Sequence, residues 1–553
     1  MTELVFVPLG GLGEIGMNAA LYGFGPPDRR QWLMVDCGMG FASEEHLPGV
    51  DLMFPDIRFI EEERRNLLGI VITHAHEDHI GALVELWPRL QVPVYATRFA
   101  IGLLETRRLG EAGAPKIPLN EIGPGQRTQL GPFSFEFVPA AHSIPESMAV
   151  AIRTPLGMVL HSGDWKLDDT PVVGETTSEA RYRALGDEGV LAFVCDSTNI
   201  VRDGRSPSEA AVAKRMAEII AAAPHRVAVT TFASNVARIR AVAEAARACG
   251  REVVAVGRAM ERVIDVARET GYLEGVPEFR TPDTYGYLPR DRVVALLTGS
   301  QGEPRAALAR VAFDEHPEIA LSPGDKVIFS SRVIPGNEKA VGAILNRLVR
   351  EGIEVITDRT ELVHVSGHPR RGEMADMYRW VRPRIAVPAH GEAMHLAEHA
   401  AFAKAQGVPE VVTAYNGMMV RLAPGPAAIV DNVPAGRIYK DGDIIVGETD
   451  RSIPERRKLS FAGVVSVAVA IDDKGEVRGD PVVEIMGLPA KTRRGESIPE
   501  MVADTVGEVL DGMPRARRRD TEAVEQALVR AVRGTVQNAW GKKPACHILV
   551  IEV

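Results

Sequence analysis

An α/β fold in several parts is predicted, with one domain inserted into another and a small α+β module after them, and three observations carry it. Apolar, strand-like runs repeatedly end in a histidine or aspartate; a regular alternation of strands and helices over residues 205–362 interrupts those runs; and a strand–helix–strand pattern follows a proline- and glycine-rich stretch at 426–460. The 553 residues exceed what one hydrophobic core organises. With 45% hydrophobic and 25% charged residues, the composition is that of an ordinary soluble globular protein. We therefore divide the chain into a first domain at 1–204, an insertion at 205–362, a return to the first domain at 363–425, a linker at 426–460 and a C-terminal domain at 461–553.

Taken in order, residues 4–7 (Leu-Val-Phe-Val) form a strand rather than the basic start of an export signal, and no apolar run reaches the roughly 20 residues of a membrane span. Both point to a cytoplasmic protein without a membrane partner. Cys37, Cys195, Cys249 and Cys546 lie far apart with no CxxC pair, which indicates neither a disulfide framework nor a thiolate metal site. Net charge is −10, which argues weakly against a polyanionic partner, because bound cations can govern a cleft inside an acidic protein.

Gly11-Leu12-Gly13-Glu14-Ile15-Gly16 follows the first strand and matches GxGxxG. A dinucleotide site needs a helix next, and residues 19–27 leave room only for a strand and a turn, so we expect a tight glycine loop bordering the active centre. Residues 31–36 form a strand ending in Asp36, which reads either as the carboxylate that orients a metal-ligating histidine or as a plain turn aspartate. The apolar run at 67–72 then delivers His-Ala-His-Glu-Asp-His-Ile-Gly at 74–81. Strand period turns His74 and His76 the same way, and Asp78 and His79 come round in the turn that opens the next helix. Three histidines and a carboxylate suit Zn(II) or Mn(II). Four ligands in one loop, with more expected elsewhere, suggest two ions about 3.5–4 Å apart sharing a hydroxide. A helix is expected at 80–86 and a strand at 92–96.

The design repeats at 133–143, where a strand delivers His142, and at 158–164, where one delivers Asp164. A further strand at 191–194 closes on Asp196-Ser197-Thr198-Asn199. Ser206-Pro207-Ser208-Glu209 combines a capping box with proline in the first helical turn. Within the insertion, the first-turn N–H groups after Ala233-Ser234-Asn235 offer a phosphate cradle with Arg238 and Arg240 close by, and a plain N-cap is the competing reading. Gly299-Ser300-Gln301-Gly302-Glu303-Pro304 combines small residues with a proline starting a helix. Residues 362–368 read as a strand plus loop carrying His364, Val365, Ser366, Gly367 and His368, and residues 384–388 deliver His390. In the C-terminal domain, Arg515, Arg517, Arg518 and Arg519 form a basic run that reads by default as a solvated face, with nucleic-acid contact as the competing reading.

The HxHxDH pattern at 74–79 resembles that of the metallo-β-lactamase superfamily. The whole chain resembles the β-CASP nucleases of that superfamily, and more closely bacterial ribonuclease J, in its opening glycines, in Asp196-Ser197-Thr198-Asn199, in the loops at 299–304 and 364–368 and in Pro388-Ala389-His390-Gly391-Glu392. Ala75 and Cys37 depart from the usual glycine and alanine without removing a ligand. The resemblance implies a metallo-β-lactamase αββα sandwich interrupted by an α/β β-CASP domain, in a cytoplasmic ribonuclease with 5′-to-3′ exonuclease and endonuclease activity on single-stranded RNA. It implies two divalent ions: His74, His76 and His142 on one, Asp78, His79 and His390 on the other, and Asp164 bridging. Asp196 with His364 or His368 would be catalytic, the histidine protonating the leaving 3′-oxygen. Ala233, Ser234 and Asn235 would hold a 5′-monophosphate, residues 364–368 would bind substrate, and the protein would be a homodimer or homotetramer. A β-CASP DNA nuclease, a small-molecule hydrolase on the same metal loop and a non-catalytic scaffold are the rival readings.

Overall fold

The computed structural model describes residues 1–42 and 47–553. It forms two compact units, Met1–Gly40 with Phe54–Arg437 and Phe41–Met53 with Ile438–Val553.

The larger unit holds two sheets face to face. The eight-stranded sheet runs, in spatial order, Ala428–Asn432, Met418–Ala423, Glu3–Gly10, Ala19–Gly25, Gln31–Val35, Leu67–Val71, Val94–Ala96 and Leu119–Glu121. The seven-stranded sheet runs Arg127–Leu130, Phe133–Pro139, Met148–Thr154, Gly157–His161, Val190–Asp196, Ile385–Ala389 and Glu410–Val411. Alternating side chains, among them Phe6, Tyr22 and Leu33 from the first sheet and Phe135, Val150 and Val387 from the second, interlock in one core. On the first sheet's other face Trp32 meets Phe59 of the helix Arg58–Glu62 edge to face, ring centroids 5.3 Å apart. Helices Glu179–Glu188, Arg371–Val381 and Ala393–Ala405 cover the second sheet with Tyr182, Tyr378, Trp380 and Ala403. The result is the expected αββα sandwich.

From Gln31–Val35 outward the first sheet is parallel, as is the second from Gly157–His161 outward. Their carboxyl ends open a crevice where an α/β fold places its ligands.

The chain leaves this sandwich after Val190–Asp196 and re-enters at Ile385–Ala389, the next strand of the same sheet. Between them stands a wholly parallel sheet in the order Glu252–Val256, Val293–Leu297, Val227–Thr230, Lys326–Phe329, Glu354–Ile356. A buried ionic chain fastens the inserted body to the sandwich. Lys166 Nζ lies 2.9 Å from Asp168 Oδ2 and 3.4 Å from Glu209 Oε1, and Arg238 Nη2 lies 2.8 Å from Glu209 Oε2. Burial alone would keep Glu209 protonated, but Arg238 and Lys166 outweigh it and bring its pKa to about 2. Removing one member of such a chain strands the others in low dielectric, at a cost of about 3–5 kcal/mol.

Several local expectations need correction. Ser208, not Ser206, caps the helix Glu209–Ala222, and Pro207 precedes the cap, since Glu209 is drawn into the ionic chain. The helix expected at 80–86 is two, Glu77–Ile80 and Leu83–Leu90, the second accommodating Pro88 within it. No strand forms at 362–364, because the Val363 carbonyl accepts from Arg238 Nη1 and Ser330 Oγ instead of a ladder. The helix after Pro304 starts at Ala307, because the chain first makes a turn in which Ala306 N donates to the Glu303 carbonyl at 3.1 Å and the Glu303 carboxylate accepts from Gln301 N at 3.0 Å. The stretch 426–460 is no linker: it carries strands Ala428–Asn432, Arg437–Asp441 and Ile444–Gly447 and most of the helix Ser452–Ala462. Its glycines occupy the turns, such as Gly442 at φ 61°, while Ile438, Tyr439 and Ile444 supply the strands.

The smaller unit has a three-stranded sheet, Val482–Met486, Val464–Ile471, Ala545–Glu552, in which Val465, Val467 and Val469 pack on Val502, Val506, Leu528 and Val532 of helices Ile498–Gly512 and Thr521–Trp540. Among the described residues no helix is long and apolar enough to cross a membrane.

Candidate metal centre

Past Leu67–Val71 the chain drops out of the sheet, and His76, in extended backbone, is the N-cap of the one-turn helix Glu77–Ile80 that presents Asp78 and His79. The Asp36–Gly38 segment runs directly beneath. A Cβ on Gly38 would stand 1.7 Å from the Asp78 carbonyl, so only glycine passes there. The opening glycines border this loop as expected: a Cβ on Gly16 would stand 3.6 Å from Asp78 Cβ, and a strand rather than a helix follows them.

Three groups of donors result among the described residues. His74, His76, His142 and Asp164 form one and Asp78, His79, Asp164 and His390 a second, while Asp196, His368 and His390 form a smaller third; within each, the ligand atoms lie within 4.8 Å of one another. His76 Nδ1 is 3.1 Å from His74 Nε2 and 3.0 Å from His142 Nε2. Imidazoles bound at the usual Zn–N distance of about 2.0–2.1 Å in tetrahedral geometry stand about 3.3 Å apart. The nitrogens thus already have the spacing of a coordination shell. Asp164 Oδ2 lies 3.8 Å from His74, 3.6 Å from His142 and 3.3 Å from His79, while its Oδ1 is 2.6 Å from His390 Nδ1. Nε2 of His390 is buried without a hydrogen-bond partner, 3.4 Å from Asp78 Oδ2. Convergent N and O donors around an orphaned imidazole nitrogen fit divalent metal.

Neighbouring groups hold the ligands in place. Asp36 accepts from Thr73 N at 2.7 Å and lies 2.7 Å from His79 Nδ1, which turns His79 Nε2 toward the cluster. His142 Nδ1 donates to the Gly367 carbonyl at 2.7 Å, with the same effect. A Cβ on Gly367 would strike the His142 ring at 2.5 Å. Asp36 and His390 sit at φ 63° and 49°, left-handed conformations that non-glycine residues keep where the surroundings over-determine them.

Burial pushes His74, His76 and His142 toward the neutral, metal-binding form, His76 to about 4. The other side behaves oppositely. Burial there also opposes charge, but Asp164, Asp78 and Asp36 outweigh it at His79, and Asp164 does so at His390, raising that pKa to about 10. Without an ion, protons on these imidazoles neutralise the carboxylates. Metal must displace them, so affinity increases as pH rises toward 10. We expect the stripped protein at pH 7.5 to release at least about two protons on loading, measured by calorimetry in buffers of different ionisation enthalpy. Loading without proton release would contradict this balance.

The remaining expected residues separate. His368 joins the cluster, with Nδ1 2.7 Å from Asp196 Oδ2 and 3.9 Å from Asp164 Oδ2. Burial is again outweighed, by Asp196 and then Asp164, and its pKa is raised. Among the described residues His364 joins no ligand group; burial and Arg238 bring its pKa to about 3. Ser366 Oγ accepts from Asn199 Nδ2 at 2.8 Å, and Val365 is buried. At Ala233-Ser234-Asn235 the capping reading holds: Asn235 Oδ1 accepts from Arg238 N, and Val236 N is taken by the Ser234 carbonyl. Arg238 is fully buried on Glu209, and Arg240 is tied to Glu244 and the Tyr272 carbonyl, so neither faces that turn as a free cation. Sequence reasoning missed Asn199, whose amide also donates to the His368 carbonyl at 3.0 Å, and Thr73, which joins Asp36 to His74. Asn199 stood inside a quoted motif; nothing in its spacing marked the amide as a fastening.

The sandwich and its paired donor groups define a metallo-hydrolase of the metallo-β-lactamase type with an inserted domain. Matches to protein families fall along the chain in this order: metallo-beta-lactamase superfamily over residues 18–181, ribonuclease J beta-CASP domain over 224–348, Zn-dependent metallo-hydrolase RNA specificity domain over 352–413, and ribonuclease J C-terminal domain over 452–553. Proteins named ribonuclease J are similar along their length: that of Sinorhizobium meliloti is 55% identical over 551 residues (100% of this chain, 98% of that protein), that of Mycolicibacterium smegmatis 40% over 551 (99% and 96%), and that of Thermus thermophilus 36% over 556 (99% and 95%). A crystal structure of a protein of unknown function from Enterococcus faecalis shares the fold, with TM-score 0.54 and 16% identity over 76% of this chain and all of that one. The chain belongs to the ribonuclease J family.

Proposed function

We propose that this metal-dependent ribonuclease degrades and processes single-stranded RNA in the cytoplasm as a 5′-to-3′ exonuclease and endonuclease, with a preference for 5′-monophosphate ends. The observation that carries the reading is the position of Asp164, within reach of both larger donor groups. We assign His74, His76 and His142 to one ion and Asp78, His79 and His390 to the other, with Asp164 shared, the ions being Zn(II), Mn(II) or both. Two such ions supply Lewis-acid stabilisation of phosphoryl charge and a water of lowered pKa.

The chain's own residues do the rest. Asp36 orients His79, and the Gly367 carbonyl orients His142. His368, held by Asp196, whose charge raises its pKa, donates its proton to the departing 3′-oxygen, leaving 5′-phosphate and 3′-hydroxyl products. His364 is too far into the neutral form to serve as that acid. Asp196 acts through His368 as a positioning residue. Ala233, Ser234, Asn235 and the 364–368 loop bind the substrate, and the enzyme works as a homodimer or homotetramer. The inserted sheet, too large for a small-molecule cleft, grips a polymer.

With Mn(II), 5′-monophosphorylated RNA carrying a 3′ label should shorten progressively from its 5′ end or be cut internally, while matched single-stranded DNA stays intact. Equal cleavage of the DNA would favour the DNA-nuclease reading, and cleavage of neither polymer by metal-loaded protein would reject both.

A further inference from the structure

Three segments bring His368, His390 and Asp196 to the centre, and each also supplies one member of a second, buried polar group behind it. The helix Arg371–Val381, which follows the 364–368 loop, carries Tyr378. The helix Ala393–Ala405, which follows His390, carries His399. The turn after the strand Val190–Asp196 carries Ser197. His399 Nδ1 lies 2.8 Å from Ser197 Oγ, and its Nε2 lies 2.8 Å from Tyr378 Oη. All three side chains are buried in the apolar layer where Tyr378 meets Phe193 and Phe402.

Burial, opposed by Asp196, brings the pKa of His399 to about 3, and burial pushes the Tyr378 phenol up. The ring is therefore neutral and the phenol keeps its proton. A neutral imidazole donates from one nitrogen and accepts at the other, so a hydrocarbon in place of any one of the three leaves a buried partner unmet. A core histidine with both nitrogens bonded needs no further role, but Ser197 stands in the middle of the turn that fastens the site. On one side of it, Asp196 Oδ2 lies 2.7 Å from His368 Nδ1, and Asp196 N donates at 3.1 Å to Ser162 Oγ, in the loop that leads to Asp164. On the other side, Thr198 Oγ1 donates to the His390 carbonyl at 3.2 Å, and Asn199 Nδ2 donates to the His368 carbonyl at 3.0 Å. The backbone beyond His390 presses on the same residue, since a Cβ on Gly391 would stand 3.2 Å from Ser197 Cβ. A displaced Ser197 carries with it the carboxylate that aims His368, and a misplacement of about 1 Å can cost about 10²-fold in rate.

We propose that His399 is a positioning residue for the cleavage: by joining Ser197 to Tyr378 it locks the 196–199 turn and, through Asp196, the ring of His368. The proposal rests on the reading of His368 given above.

The test is a cycle of His399→Leu, His368→Ala and the double variant, each as the metal-loaded full chain on the same single-stranded RNA. His399→Leu should lower kcat about tenfold or more. In the His368→Ala background the further loss should shrink to about twofold or less, because residues that act as a unit do not contribute independently. A loss of stability alone would lower both backgrounds by the same factor. Equal factors therefore overturn the positioning role, as does a folded His399→Leu enzyme with wild-type kcat. Should His399→Leu fail to fold, Tyr378→Phe removes one hydroxyl, keeps the ring against Phe193 and Phe402, and is read in the same cycle. If His368→Ala itself turns over at the wild-type rate, the reading of His368 fails and the positioning role with it. A slow His368→Ala enzyme whose loss multiplies with that of His399→Leu sinks the positioning role alone.

Discussion

Asp164→Ala is expected to lower RNA cleavage by about 10³-fold or more, since Lewis-acid stabilisation is worth several kcal/mol and each 1.36 kcal/mol is tenfold in rate. It should also reduce the metal that co-purifies with the protein. The carboxylate is 2% exposed, and its two oxygens face His74, His142, His79 and His390 at once. Burial alone would protonate it, but His390, His79 and His368 hold it ionised. Removing it deprives both larger groups of their shared anion, whereas His76→Ala weakens only one. The fold should survive, because Asp164 sits on a loop beyond the strand Gly157–His161, and circular dichroism checks this. Undiminished turnover in a protein whose metal content is also unchanged would sink the shared-ligand assignment.

His368→Ala should cost about 10²–10⁴-fold in turnover with metal content retained, the usual worth of a general acid. The distinguishing measurement uses RNA whose scissile 3′-oxygen is replaced by sulfur. A thiolate departs without a proton, so most of the deficit should disappear on that substrate, and Asp196→Asn should follow the same trend more weakly. An equal deficit on both substrates would assign His368 to holding the metal-side loops rather than to proton transfer. His364→Ala should show no such selective recovery, because its ring lies among Arg238, Glu209 and Arg332.

Much of this centre was legible because its donors fall at strand ends. The strand Leu67–Val71 and the loop after it, the deliveries of His142 and Asp164, and the return to His390 each announce themselves as an apolar run followed by a ligand-type side chain. The same rule failed at 362–364, where an apolar pair has its carbonyl claimed by an arginine 125 positions away. Local composition also misread 426–460, since prolines and glycines look alike in a linker and in tight turns between short strands. Arg238 shows the deeper limit. Beside a helix start it suggested a phosphate cradle, and its burial on Glu209 depends on where Lys166 and Asp168 come to lie. Asn199 and Thr73 escaped for the same reason: a side-chain hydrogen bond leaves no period in the sequence.

The ionic chain from Lys166 and Asp168 through Glu209 to Arg238 has a consequence for how such enzymes can be rebuilt. Family boundaries suggest that the inserted body is a cassette. Its key, however, is cut from both sides: Glu209 N donates to Asp168, its carboxylate answers Lys166, and Arg238 in turn grips the Val363 carbonyl at the head of the 364–368 loop. A foreign cassette lacking Glu209 or Arg238 would leave buried charge on the host and slacken the loop that carries His368. Exchange between relatives therefore has to carry four side chains as one heritable unit, although they are scattered over 73 positions from Lys166 to Arg238.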